Sequence, residues 1–92
     1  MIDDKIVDVC TEAVEIYGND AQIWMAIEEM AELTNALAKH RRGRVGNEEV
    51  CEEIADVIIM LVQLAYIFSP DDVCDFVEKK IERLIKRLAN HK

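Results

Sequence analysis

Apolar residues recur at three- and four-residue intervals along most of the chain, a period that predicts helices rather than strands. Ile6, Cys10, Ala13, Val14 and Tyr17 form the first stripe and predict a helix from about Asp3 to Tyr17. Gly18 suits its stop, and Asn19 or Asp20 suits the cap of the next helix. That second helix is predicted from about Asp20 to Arg41, with Ile23, Ile27, Met30, Leu33 and Leu37 as its core stripe. A turn containing Gly43 and Gly46 follows, and Asn47 can cap a third helix that continues to about Phe68. The tetrapeptide SPDD then gives a full start signal: Ser69 as N-cap, Pro70 in the first helical position, and Asp71 and Asp72 at the positive helix end. The fourth helix runs to about Ala89, and Lys86, Arg87 and Lys92 suit its negative end. Short connections between long helices predict antiparallel neighbours in one compact all-α bundle.

Composition supports this class. The 92 residues are 51% hydrophobic, with one proline and three glycines, which favours helices over a turn-rich β fold. The formal charge of −8 argues against nucleic-acid binding through a basic face. Cys10, Cys51 and Cys74 are odd in number and widely spaced, so they indicate neither a disulfide framework nor a zinc site. They are expected as small buried hydrophobes in a reducing cytoplasm. MIDDKIVDV lacks the basic-then-apolar order of a signal peptide. The longest apolar run is broken by Asp56 and Gln63 and falls short of the roughly 20 residues needed to span a bilayer. No membrane partner is expected.

The acidic residues change the picture. On a helical wheel, Glu28, Glu29 and Glu32 share one side of the second helix, opposite its apolar stripe. Met25 and Ala36 bracket them with apolar surface. On the third helix Glu49, Glu53, Asp56, Met60, Gln63 and Ile67 line a narrow stripe. The rest of that helix is apolar almost all round, so it is buried within its chain or against a partner. Asp56, and after it Glu53, is therefore expected to face the interior, where an unpaired carboxylate costs several kcal/mol. Two pairs, E-x-x-E at Glu29 and Glu32 and E-x-x-D at Glu53 and Asp56, fall on helices that a short turn makes antiparallel. Hard divalent cations with oxygen ligands, Mg²⁺ or Mn²⁺, suit such a convergence. Ion pairing with the basic segment KHRRGR, or a solvated acidic face, is the competing reading, and the residues alone leave both open.

Other chemistries fit poorly. The residues three positions before His40 and His91 are Leu37 and Leu88, so the Glu-x-x-His pairs of di-iron bundles are missing. No GxxxxGK[ST] loop occurs, and Ser69, the sole serine, is explained as a cap.

The order IEEMAELTNAL, a basic turn, then EEIADVIIMLVQL resembles the MazG-like nucleoside triphosphate pyrophosphohydrolases, whose signature is E-x-x-E followed by E-x-x-D on the next helix. The resemblance covers roughly residues 20 to 68, with weaker similarity in VEKKIERLIKRL. It implies one four-helix MazG-like domain over residues 1–92 and hydrolysis of a nucleoside triphosphate to the monophosphate and pyrophosphate. It also implies Mg²⁺, with Mn²⁺ as a substitute, held by Glu29, Glu32, Glu53 and Asp56. Glu28 or Glu49 is then a candidate for handling the attacking water. Lys39 and Arg42 of the turn, and Lys80 and Arg83 of the fourth helix, are candidates for phosphate contacts. Trp24, one turn before the acids, can stack on a base or pack in a core.

Phosphoribosyl-ATP pyrophosphohydrolases share these helices and acids. They usually carry an aromatic and a histidine soon after the aspartate, where this chain has Val57, Ile58, Ile59 and Met60. The apolar circumference of the third helix exceeds what three other helices can cover, so a homodimer or homotetramer is expected. The alternative from another class is a non-catalytic helical oligomerisation or binding module.

Overall fold

The computed structural model describes residues 1–91, and among them every regular element is an α-helix. Helix α1 spans Asp4–Tyr17, α2 Asn19–Arg41, α3 Asn47–Phe68 and α4 Pro70–His91. The predicted helix order and bounds hold to within two residues, whereas two of the caps differ. Asp3 caps α1 by accepting from the Ile6 amide at 3.0 Å. Gly18 closes α1 at φ 92°, a left-handed conformation suited to glycine. It also stands as the N-cap of α2, which begins at Asn19 without a side-chain cap, so neither Asn19 nor Asp20 caps it. Gly46 likewise precedes α3, and Asn47 is the first helical residue. The Asn47 side chain is engaged elsewhere, with His40 Nε2 2.8 Å from its Oδ1 across the turn. Ser69 does cap α4, its Oγ accepting from the Asp72 amide at 3.2 Å. Lys92 lies outside the described residues.

Helices α2 and α3 form an antiparallel hairpin closed by the turn 42–46. There the amides of Gly43 and Arg44 return to the carbonyls of His40 and Lys39 at 2.9 Å each, and Gly43 adopts φ 71°. Helix α1 lies against both members of the hairpin, whereas α4 contacts only α3 among the described residues. The Cys10 thiol points to the Ile59 carbonyl at 3.6 Å, and Tyr66 donates its hydroxyl to Glu15, which ties α1 to α3.

The core is small. Cys10, Val14, Ala26, Ala36, Val57 and Met60 are its buried apolar members. Among the described residues no large side chain is fully enclosed, and α4 buries none of its residues. The radius of gyration is 15.8 Å, against about 12 Å for a compact domain of this length. Part of the expected core therefore faces outward. Ile27, Met30 and Leu37 of the predicted α2 stripe are exposed, as is Tyr17 of α1. The side of α2 that meets α3 carries Gln22, Ala26, Glu29, Leu33 and Ala36 instead.

The reason is geometric. Small residues let two backbones approach closely, and α3 packs against the alanine side rather than the bulkier one. Cys51 and Cys74 are also exposed, contrary to the expectation of buried thiols. Only Cys10 is buried, and desolvation pushes its thiol pKa up.

Ala26 has no exposed surface at all, so a larger side chain there has no open space to enter. Replacing it by leucine should destabilise the fold by about 1–3 kcal/mol through overpacking, measured by urea unfolding at fixed protein concentration. Ala31→Leu, at an exposed α2 position, should stay within about 0.5 kcal/mol of the parent.

Candidate metal centre

The α2–α3 seam carries the acids. Counting from the turn outward, Ala36 lies opposite Glu49, Glu32 opposite Glu53, and Glu29 opposite Asp56, in one antiparallel register. One carboxylate oxygen from each of Glu29, Glu53 and Asp56 lies within 4.8 Å of the others. An octahedral Mg²⁺ with ligands at 2.0–2.1 Å spans about 4 Å between opposite oxygens, so this triad is nearly drawn to that size. Glu32 stands beside the triad, and its charge acts on both Glu29 and Glu53.

Burial is uneven and differs from expectation. Glu29 and Glu53 are half-buried, whereas Asp56 is exposed. The sequence pattern puts both Glu53 and Asp56 of α3 toward the interior, and only Glu53 follows it. Asp56 still brings one carboxylate oxygen to the cluster while the residue as a whole stays open to solvent. Although Glu29 and Glu53 keep some exposed surface, the Oε2 atom of each is shut off from water. Neither atom has a hydrogen-bond partner among the described residues. A buried carboxylate oxygen without a donor is an unstable arrangement that a cation would relieve.

Electrostatics agree with the geometry. Burial pushes the Glu29 pKa up, and the neighbouring charges of Glu32, Asp56 and Glu53 push it further. Burial, followed by the charges of Glu32 and Asp56, does the same to Glu53. A side-chain hydrogen bond with Glu32 also raises Glu29, so every influence acts in one direction, and among the described residues none comes from a cation. Structural ion pairing, the competing explanation from sequence, finds no support at these two residues.

Beside the triad an open cleft of about 130 Å³ is lined by Glu32, Asn35, Ala36, Lys39, Glu49 and Glu53. Glu49 and Lys39 thus border the acids. Asn35 was missed; its signal was a position one turn beyond Glu32 on the same face. Glu28 does not join the cleft and is exposed on another side of α2. Trp24 is 66% exposed, which removes the single-chain core as its role. Arg42 ends α2 as an exposed residue. Lys80 and Arg83 are exposed on α4, whose contacts stop at α3. One chain therefore does not bring them to the cleft.

A helical hairpin carrying facing acid pairs agrees with the family match: residues 18–88 match the MazG nucleotide pyrophosphohydrolase domain. The chain belongs to that family. No curated protein and no solved structure matches it. Among the described residues no helix is long and apolar enough to cross a membrane.

The raised carboxyls predict a specific pH dependence. Unfolded, Glu29 and Glu53 ionise in the ordinary glutamate range; folded, they ionise at higher pH. The folded state binds more protons across that window, so metal-free stability falls as pH rises through it. Glu53→Gln should therefore melt above the parent at about pH 7.5 without divalent ions, and the two should converge by about pH 3, where both states are protonated. Thermal melts across that range in a chelating buffer give the comparison.

Proposed function

We propose that this chain is a divalent-metal-dependent nucleotide pyrophosphohydrolase that converts a nucleoside triphosphate to the monophosphate and pyrophosphate. The observation that carries the reading is the pair of buried, unpartnered oxygens on Glu29 and Glu53, within a chain that matches the family over residues 18–88. Glu29, Glu32, Glu53 and Asp56 are assigned to hold Mg²⁺, or Mn²⁺ in its place, within one domain spanning residues 1–92. When bound, the metal supplies charge neutralisation for the phosphates and a lowered pKa for the attacking water.

The chain's own residues divide the remaining work. Glu49 borders the cleft and is the better placed acceptor for the proton of the attacking water. Glu28, exposed outside it, is left as an acid of the rim. Lys39 lines the cleft and offers a positive charge to the β- or γ-phosphate. As the water oxygen bonds to the α-phosphorus, the bond to the bridging oxygen breaks and pyrophosphate leaves. Positioning and electrostatics of this kind carry most phosphoryl-transfer catalysis. Trp24 presents its ring outward one turn before the acids, where a base can stack on it.

The functional unit is proposed to be a homodimer or homotetramer. Exposed Ile27, Met30 and Leu37 of α2, with Ile54 and Leu61 of α3, leave apolar surface for a second copy. Arg42, Lys80 and Arg83 are assigned to phosphates only within that assembly, where a neighbouring chain can supply them. The net charge of −8 and three free cysteines fit a cytoplasmic enzyme whose partner is a nucleotide rather than nucleic acid or membrane.

Release of monophosphate and pyrophosphate from a panel of triphosphates should require Mg²⁺ or Mn²⁺. Glu29→Gln and Asp56→Asn should each lower turnover at least about a hundredfold, since even residues behind the ligands are worth 10–100-fold, while circular dichroism stays helical. No turnover with any nucleotide and either metal would leave the non-catalytic module as the better account. Light scattering should give a mass two or four times 10.6 kDa. Leu61→Glu should shift it toward one copy.

A further inference from the structure

The acids occupy the middle of the α2–α3 seam, and the end of the hairpin away from the turn carries a different pair. Gln22 Nε2 donates to Gln63 Oε1 at 2.7 Å, and Gln63 Nε2 points to Met60 Sδ at 3.8 Å. Both glutamines are buried, at 8% and 4% exposure. Amides in such a place must find partners to offset their lost hydration. An apolar pair of the same size would fill the space without that demand, so packing alone does not explain the choice.

Position does. Seven residues along α2 from Gln22 lies Glu29, and seven residues back along α3 from Gln63 lies Asp56. Three further in each direction lie Glu32 and Glu53. A single antiparallel register therefore aligns the amide pair with both acid pairs on one seam. The turn 42–46 closes the hairpin covalently at one end, and the amide pair bridges it at the other. Between them, carboxylate oxygens within 4.8 Å of one another push the helices apart whenever no cation lies among them. At 1.5 Å rise per residue the amide pair stands about 10 Å beyond Glu29, near enough to oppose that push.

The geometry points to Gln22 and Gln63 as a positioning pair: a hydrogen-bonded clasp that holds the open end of the α2–α3 hairpin closed and in register, so that the acidic seam is arranged for a divalent cation before one binds. This rests on the proposed metal role of the seam. A directional bond suits the task, because apolar contacts tolerate sliding and buried polar pairs specify register. Preorganisation raises affinity by removing the cost of drawing the helices together on binding. Neither glutamine touches substrate; each acts through the placement of Glu29, Glu32, Glu53 and Asp56.

The test uses the full chain with Gln22→Leu/Gln63→Leu, which keeps volume and burial while deleting the hydrogen bond. Without metal, this variant should melt no lower than the parent. Its Mn²⁺ affinity, read by calorimetry, should fall about tenfold, in the range seen when groups that orient metal ligands are lost. The Mn²⁺ concentration giving half-maximal turnover should rise to match, while kcat at saturating Mn²⁺ stays within about twofold, the split that separates lost preorganisation from lost chemistry.

A second measurement reads the hairpin directly. Spin labels at Ala31→Cys and Ala55→Cys, both exposed, are placed in a background with the native cysteines replaced and diluted with unlabelled chain. The parent should give a narrow distance distribution without metal. The double-leucine variant should give a broad one that narrows with saturating Mg²⁺. An unchanged Mn²⁺ affinity, or a distribution that stays narrow without metal, overturns the clasp. Failure of the parent to bind Mn²⁺ at all overturns the metal reading instead, and the distance distribution alone then decides the clasp.

Discussion

The close, registered approach of α2 to α3 is the constraint on which the rest depends. Ala26 and Ala36 permit it by offering almost no side chain at the contact, and the turn 42–46 fixes its polarity. Once those helices are that near, Glu29 and Glu53 have nowhere to go except into the seam. Their raised pKa values follow from burial first and neighbouring carboxylates second, and burial also leaves one oxygen of each without a partner among the described residues. The site is thus a by-product of tight helix packing, and its chemistry is set by how tight that packing is.

The same packing explains where stability is given up. Like charges brought together in a partly dry seam weaken the metal-free fold. Natural proteins commonly accept such a loss where a ligand restores it, because anything that binds only the folded state stabilises that state by mass action. The chain's small core makes the trade sharper. With six buried apolar residues among the described ones, none of them large and fully enclosed, there is little reserve to set against a repulsive centre.

Much of this was legible in the sequence, and what was not has a physical reason. Helix order and bounds followed from the three- and four-residue spacing, and Ser69 announced itself as a cap. The paired acids were legible because a spacing of three places both members on one face. What failed was the assumption that the greasiest stripe of α2 is the one its own chain covers. Ile27, Met30 and Leu37 are exposed because α3 chose the alanine side. Which of two apolar flanks receives a neighbour depends on interhelical distance, which a wheel does not contain. Asp56, expected inside, stays open to solvent, which a wheel could not decide either. Gln63 was visible only as a member of a stripe. Its bond to Gln22, more than 40 residues away, needed the fold.

Helix α4 has a further consequence. It is 22 residues long, strongly two-faced, and leaves Phe76, Val77, Ile81 and Leu88 exposed. Helices in proteins draw most of their stability from packing an amphipathic face, and α4, which touches only α3 among the described residues, borrows little order from the body it is attached to. Its amides should be the first of the four helices to exchange with solvent deuterium, opening by local fraying while the α2–α3 hairpin stays closed. The protection of this one helix becomes a built-in gauge of whatever surface lies over it, read without touching the site at all.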